Sequence, residues 1–297
     1  MTGICNLEVN SSFEFRVMAR AKVNLALHVT DQLSNGLHLL DSLVAFPNIG
    51  DELFFQKSDR LTLVVDGPFG KALSNDSKAS SNLVYRAASL IKKPGDGAHI
   101  RLKKNLPLAS GIGGGSSDAA QTLKALSKIW SRPMPQFDEL LNLGSDIPIC
   151  LSNSFQRLGG IGDIVEVIPS PPPIWIVLVN PGVKVSTSKV FQCLKLKKNA
   201  PLEDLTDMSN QHSLCAYLSR QRNDLEVVTR ELVPEVGLLL DLFEKNESCK
   251  CFRMSGSGAT CFGLYFDKEA AESEVTRIKK TFPHYWVEVG ELFSSNS

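Results

Sequence analysis

The sequence predicts a two-domain protein, an α/β domain followed by an α+β domain, and three observations carry that expectation. The chain has 297 residues, more than one hydrophobic core of ordinary size accommodates. Its first half opens on a long period-two run and then alternates helical and extended segments around a glycine-rich loop. Its second half follows three consecutive prolines, Pro171, Pro172 and Pro173, which can continue neither a helix nor an inner strand. The boundary therefore falls after residue 170, giving domains at 1–170 and 171–297.

The odd positions from Phe13 to Val29 are apolar, while the even ones include Arg16, Arg20, Lys22, Asn24 and His28. This period predicts one long strand, or two joined by a bend, with Lys22 and Asn24 off the apolar face. Residues 31–38 contain Asn35-Gly36 and read as a turn. An extended segment at 39–53, a strand at 61–65 and a loop at 67–76 follow. Ser81 is the expected cap of a helix reaching Lys93, with Leu83, Ala87, Leu90 and Ile91 inward. A strand at 99–103 leads to the glycine loop, a helix at 118–130 leaves it, and a short helix at 137–143 stops at Gly144. Residues 158–163 form a turn.

In the second half, 175–180 is an apolar strand. Residues 185–196 begin β-branched and end basic, and 223–244 is helical with a break at Pro234. Phe252 and a strand at 260–266 flank 254–259. A helix at 268–281 and a strand at 285–289 complete the chain. Strands packed with helices in this order are the α+β signature.

Hydrophobic residues make up 43% and charged residues 22%, and 32 basic residues balance 32 acidic ones. No positive excess suits a polyanion, so no nucleic-acid partner is expected. No apolar run reaches the roughly 18 residues of a membrane span, so no membrane partner is expected. The start lacks the basic and apolar segments of a secretion signal, which makes the cytoplasm the expected location. The seven cysteines are odd in number and scattered, and Cys249-Lys250-Cys251 lacks a zinc knuckle's spacing. They read as reduced packing residues.

The chemistry concentrates at 107–120, Pro-Leu-Ala-Ser-Gly-Ile-Gly-Gly-Gly-Ser-Ser-Asp-Ala-Ala. Gly111, Gly113, Gly114 and Gly115 free the backbone to turn several N–H groups toward one point. Ser116, Ser117 or Asp118 would cap the helix, whose positive end adds to the attraction for phosphate. A dinucleotide fingerprint would need glycine at Ser116, and the Gly-Lys-Ser/Thr of a Walker A loop is absent. These residues alone leave the anion open. Elsewhere, Lys22 reads either as a solvated lysine or as a group in a site. His38 is a ligand contact or a surface histidine, and Asp146 is a helix cap or a general base.

Three segments together resemble the motifs of the family containing galactokinase, homoserine kinase, mevalonate kinase and phosphomevalonate kinase. They are Ala21-Lys-Val-Asn24, the loop at 107–120 and the stretch at 254–259. Further marks are Gly36-Leu-His38, Asn82-Leu-Val-Tyr85, Leu143-Gly-Ser-Asp-Ile-Pro148 and Asn223-Asp-Leu-Glu226. With these the chain is most similar to the branch acting on a cytidine-diphosphate-linked methylerythritol in the non-mevalonate isoprenoid route.

The resemblance implies the two-domain fold of that family, with the active site in the interdomain cleft, and ATP with Mg²⁺ as cofactors. It implies that Asp146 is the base and Lys22 its partner. The triphosphate loop would comprise Pro107, Leu108, Ala109, Ser110, Gly111, Ile112, Gly113, Gly114, Gly115, Ser116 and Ser117. Asn24, His38, Phe191, Gly256 and Ser257 would contact the acceptor, Phe191 as a surface for cytosine. The metal ligands stay open. Leu37 stands where many members carry tyrosine, Ala21 replaces a common proline, and the first twelve residues precede the usual start. Two alternatives remain at this point: a kinase of the same family acting on a homoserine or mevalonate-type alcohol, and a nucleotide-binding regulator without catalysis.

Overall fold

The computed structural model describes residues 14–76, 81–205 and 208–293; the first twelve residues and Cys5 lie outside them. Among the described residues, three four-stranded sheets make up the framework. The first has the order β1 (Phe15–Arg20), β4 (Gly50–Lys57), β6 (Ala98–Lys103), β5 (Thr62–Asp66), with β5 and β6 parallel. The second runs β2 (Val23–Gln32), β3 (His38–Ala45), β7 (Gln156–Gly159), β8 (Ile164–Val167). The third, β10 (Cys251–Met254), β11 (Cys261–Tyr265), β9 (Ile174–Asn180), β12 (Trp286–Leu292), is antiparallel throughout and drawn entirely from residues beyond the prolines.

The described part of the period-two run, 14–29, is two strands in different sheets. The chain leaves the first sheet at Ala21 and Lys22, whose N–H groups donate to Ile49 and Ile112 carbonyls at 2.8 Å each. Once Lys22 leaves the ladder, its side chain is aimed into the interior of the molecule. Burial along β2 is continuous from Val23 to Val29, because neighbours cover both faces of the strand.

Helices α2 (Leu83–Ile91) and α3 (Gly114–Ile129) pack on the first sheet, with Ala119, Leu123 and Leu126 against Leu53, Phe55 and Ile100. A second core joins Val23 and Leu25 of β2 to Ile176 and Leu178 of β9, with Leu214 and Tyr217 of α7 (Gln211–Arg220). It fastens the two halves of the chain together. The third sheet's other face is covered by α8 (Glu226–Leu232), α9 (Pro234–Glu244) and α10 (Lys268–Thr281).

Several local expectations change. The expected loop at 67–76 contains a helix, α1 (Gly70–Asp76). The cap of α2 is Asn82, whose side chain accepts from Val84 N–H, rather than Ser81. The segment at 185–196 folds as α6 (Thr187–Cys193), capped by Ser186. Helix α7, absent from the sequence reading, begins at an Asn210 capping box. Helix α4 (Phe137–Leu143) keeps its expected limits. Among the described residues the cysteines are free thiols and no helix is long and apolar enough to cross a membrane.

Candidate active site

The glycine loop is gripped from below. Lys104, just past β6, is 2% exposed, and its ammonium pairs with Asp51 and, at 2.7 Å, with Asp118. Asp51 Oδ1 also accepts the N–H groups of Asn105 (2.6 Å) and Leu106 (2.8 Å). One lysine and one aspartate thus fix the chain's entry into the loop and the first turn of α3. Burial pushes the Asp118 carboxyl up, Lys104 pulls it down, Asp51 pushes it up again, and the result is about 7.

Two glycines are structurally required. Gly111 has φ of +76°, and a Cβ there would lie 2.6 Å from Gly258 O and 2.7 Å from Ser255 O. The loop therefore packs backbone to backbone on the third motif. Gly113 has φ of +61° and is the N-cap of α3, with no side-chain cap. Helix α3 consequently starts at Gly114, earlier than the sequence suggested, and Ser116, Ser117 and Asp118 are inside its first turns rather than capping it. Its early N–H groups have no intrahelical partner, and a positive helix end of this kind attracts phosphate.

The Lys22 stem runs against this loop, 3.1 Å from where a Gly113 Cβ would stand. Its ammonium donates to Asp146 Oδ2 at 2.9 Å. Asp146 is the N-cap residue of α5 (Ile147–Cys150), where Pro148 occupies the first turn, yet its side chain makes no cap hydrogen bond. The cap reading of Asp146 and the solvated reading of Lys22 both fail. The Lys22 side chain is 10% exposed and that of Asp146 37%, so the carboxylate is the member open to a ligand. Burial pushes the Lys22 pKa down, but the Asp146 charge and hydrogen bond outweigh it and the value lies above that of an ordinary lysine. Lys22 is therefore a fixed cation at neutral pH.

Both groups border a cavity of about 1220 Å³ whose lining comes from both halves of the chain. Pro107, Leu108, Ala109, Ser110, Gly111, Gly113, Gly114, Gly115 and Ser116 border it, as do Asn24, His38, Phe191, Gly256 and Ser257. Two loop residues do not. Ile112 is turned into the core, and Ser117 is fully buried with a hydroxyl that has no hydrogen-bond partner.

Beside the loop, Asn24 N–H donates to Ser255 Oγ (3.0 Å) and Asn24 Nδ2 to Ser42 Oγ (2.8 Å), leaving Oδ1 buried and unpartnered. The His38 ring stacks on Phe191 with centroids 4.8 Å apart, and its Nε2 is also buried without a partner. Burial and then Lys197 lower the His38 pKa, favouring the neutral ring. Thr187 and Ser257 hydroxyls lie 2.8 Å apart, tying α6 to the third motif.

Sequence reasoning missed the residues behind this wall. Asn223 Nδ2 donates to the carbonyls of Met254 and Gly256 at 2.8 Å each, so it shapes the third motif. Asp224 Oδ2 accepts Val29 N–H at 2.7 Å and holds β2 in place. Asn223-Asp-Leu-Glu226 stands out only as a mark of the resemblance, with no role attached to either residue. Lys104 gives no signal, since a lysine pair ending a strand reads as surface charge.

A glycine loop at a helix start and a lysine–aspartate pair facing one crevice are what a small-molecule kinase, which transfers a phosphoryl group to an acceptor hydroxyl, requires. Comparison with known proteins takes the assignment further. Residues 82–166 match the GHMP kinases N terminal domain and 202–284 the GHMP kinases C terminal domain. The chain is 45% identical to the 4-diphosphocytidyl-2-C-methyl-D-erythritol kinase of Cereibacter sphaeroides, over 92% of this chain and 98% of the relative. It is 43% identical to the enzyme of that name from Jannaschia sp., over 93% and 97%. A crystal structure of 4-(cytidine 5'-diphospho)-2C-methyl-D-erythritol kinase superposes with a TM-score of 0.78 at 28% identity, covering 95% of this chain and 100% of that one. A homoserine kinase from Cytophaga hutchinsonii, at 18% identity and TM-score 0.63, shares the fold. The chain belongs to the GHMP kinase family.

Proposed function

We propose that this kinase transfers the γ-phosphoryl group of ATP to the 2-hydroxyl of 4-diphosphocytidyl-2-C-methyl-D-erythritol, a step in non-mevalonate isoprenoid precursor synthesis. The observation that carries the chemistry is the Lys22–Asp146 pair, 2.9 Å apart, beside the glycine loop in the shared cavity. The acceptor follows from the names of relatives more than 40% identical over nearly the whole chain. In this reading residues 1–170 form the ATP-binding domain and 171–297 the second wall of the cleft.

Asp146 accepts the proton of the acceptor hydroxyl as its oxygen attacks the γ-phosphorus. The bond from that phosphorus to the β,γ-bridging oxygen breaks, and ADP leaves with the electron pair. Lys22 holds the carboxylate in place and adds positive charge near the transferred group, and the N–H groups around Gly113 to Ser116 take up charge on the phosphates. Asn24, His38, Phe191, Gly256 and Ser257 position the acceptor.

Mg²⁺ fits this site as an ion carried by the nucleotide. Among the described residues no cluster of three acidic, histidine or cysteine side chains could hold a metal alone, and Mg²⁺ commonly relies on substrate phosphates with one or two protein oxygens. The unpartnered Asp118 Oδ1 and the Ser116 hydroxyl, both on the cavity wall, are hard oxygen donors of that kind, and they would hold it. Its contribution when bound is to neutralise phosphate charge.

Assays of the full chain with ATP and, in parallel, the cytidine-linked alcohol, homoserine and mevalonate test the reading. Turnover of the first alone is expected. Preferential turnover of either small alcohol would overturn it.

A further inference from the structure

The cavity holds three lysines among its described lining residues: Lys22, Lys104 and Lys197. The first two are committed to carboxylates, Lys22 to Asp146 and Lys104 to Asp51 and Asp118. Lys197 differs. Among the described residues no carboxylate lies within ion-pair distance of it, and its neighbour Lys198 is the one that approaches Asp31, at 3.7 Å.

The Lys197 ammonium donates to the neutral Gln32 Oε1 at 3.0 Å, and Gln32 Nε2 donates to Gly36 O at 3.0 Å. An ammonium has three N–H donors, so this contact occupies one. The segment that carries it is pinned to β2, because Asn199 N and Nδ2 donate to Val29 O at 3.2 and 3.0 Å. Lys197 is thus a half-buried, positioned cation held over the turn that carries His38. Its charge reaches the His38 ring, whose pKa it lowers.

A cation whose nearest partner is a neutral amide, on the wall of a crevice, leaves a local positive potential for an anion. The triphosphate is served elsewhere, by the loop beside Lys22. We propose that Lys197 binds the diphosphate of the acceptor and so selects diphosphate-bearing acceptors over neutral alcohols. The inference rests on the acceptor class given above and adds the residue that reads its charge. Gln32 orients Lys197, and His38 with Phe191 takes the base on the adjoining wall.

Calorimetric titration of the full chain, saturated with a non-hydrolysable ATP analogue, separates diphosphate from base. Cytidine diphosphate and cytidine are titrated into the native chain, Lys197→Gln and Lys197→Arg. Losing one charge-assisted contact is expected to weaken cytidine diphosphate about tenfold in Lys197→Gln. Cytidine binding should stay within about twofold of native, and Lys197→Arg should restore most of the diphosphate affinity. In turnover, KM for the acceptor rises by the same factor and KM for ATP does not. Unchanged cytidine diphosphate affinity, an equal loss for cytidine, or a loss falling on the ATP analogue would each overturn the inference. The acceptor class itself is tested independently by turnover of the native chain.

Discussion

Lys22 Nζ lies 2.9 Å from Asp146 Oδ2, although 124 residues separate them in the chain. The pair exists because β1 and β2 belong to different sheets, so that the link between them passes under the glycine loop and points Lys22 at the start of α5. A buried ammonium beside a more exposed carboxylate is an asymmetric arrangement: one member is fixed and the other can reach a substrate.

Asp146→Asn should keep the fold and lose turnover. General-base contributions are typically ~10²- to 10⁴-fold, so kcat should fall by at least about a hundredfold, with a fall in melting temperature, from the lost partner of Lys22, that leaves the chain folded at assay temperature. Steady-state kinetics beside a thermal melt checks both, and near-native kcat would remove Asp146 from the mechanism.

Lys22 also makes stability depend on alkaline pH. Its pKa in the folded chain is above the ordinary lysine value of 10.5, so its contribution is fully present below that value and is lost as pH rises through the folded one. Urea unfolding above about pH 10.5 should therefore show native stability falling more steeply than that of Lys22→Met; parallel curves would contradict it.

Lys104→Met should be severely destabilising. It leaves Asp51 and Asp118 buried without their cation, and breaking a buried pair from one side typically costs about 3–5 kcal/mol. Denaturant melts measure the loss. Lys104→Arg, which keeps the charge in a larger group, should lose less.

Gly111→Ala should separate two motifs that now touch. The residue has positive φ and no room for a Cβ against the carbonyls of Ser255 and Gly258, and a strained backbone position typically costs about 1–3 kcal/mol. The loop must shift to relieve the clash, so KM for ATP should rise together with the loss in stability. Unaltered ATP kinetics would mean that this contact does not position the loop.

Much of the architecture is legible in the sequence because local signals decide it. Helix α10 keeps its expected limits, 268–281, and α4 ends at Gly144. The glycine loop suggests an anion site through its four glycines, its serines and the helix that follows, with the anion left open. What escapes depends on tertiary context. The left-handed Gly113 lets α3 begin before the serines, so Ser116, Ser117 and Asp118 look like caps and are not. Helix α1 hides among Gly67, Pro68 and Gly70. Taken alone, Asp146 looks like a cap, and only the resemblance to known kinases gave it its role as a base. The anchoring work of Lys104 and Asn223 is invisible before folding, since their partners come from distant segments.

A crystal structure with a non-hydrolysable ATP analogue and the cytidine-linked alcohol would show whether Asp146 and the glycine loop meet around the reacting groups. The acceptor hydroxyl is expected within hydrogen-bond reach of Asp146, about 2.6–3.2 Å, with the γ-phosphate held by the N–H groups around Gly113 to Ser116. A hydroxyl directed away from Asp146, or a triphosphate bound outside the glycine loop, would contradict this arrangement.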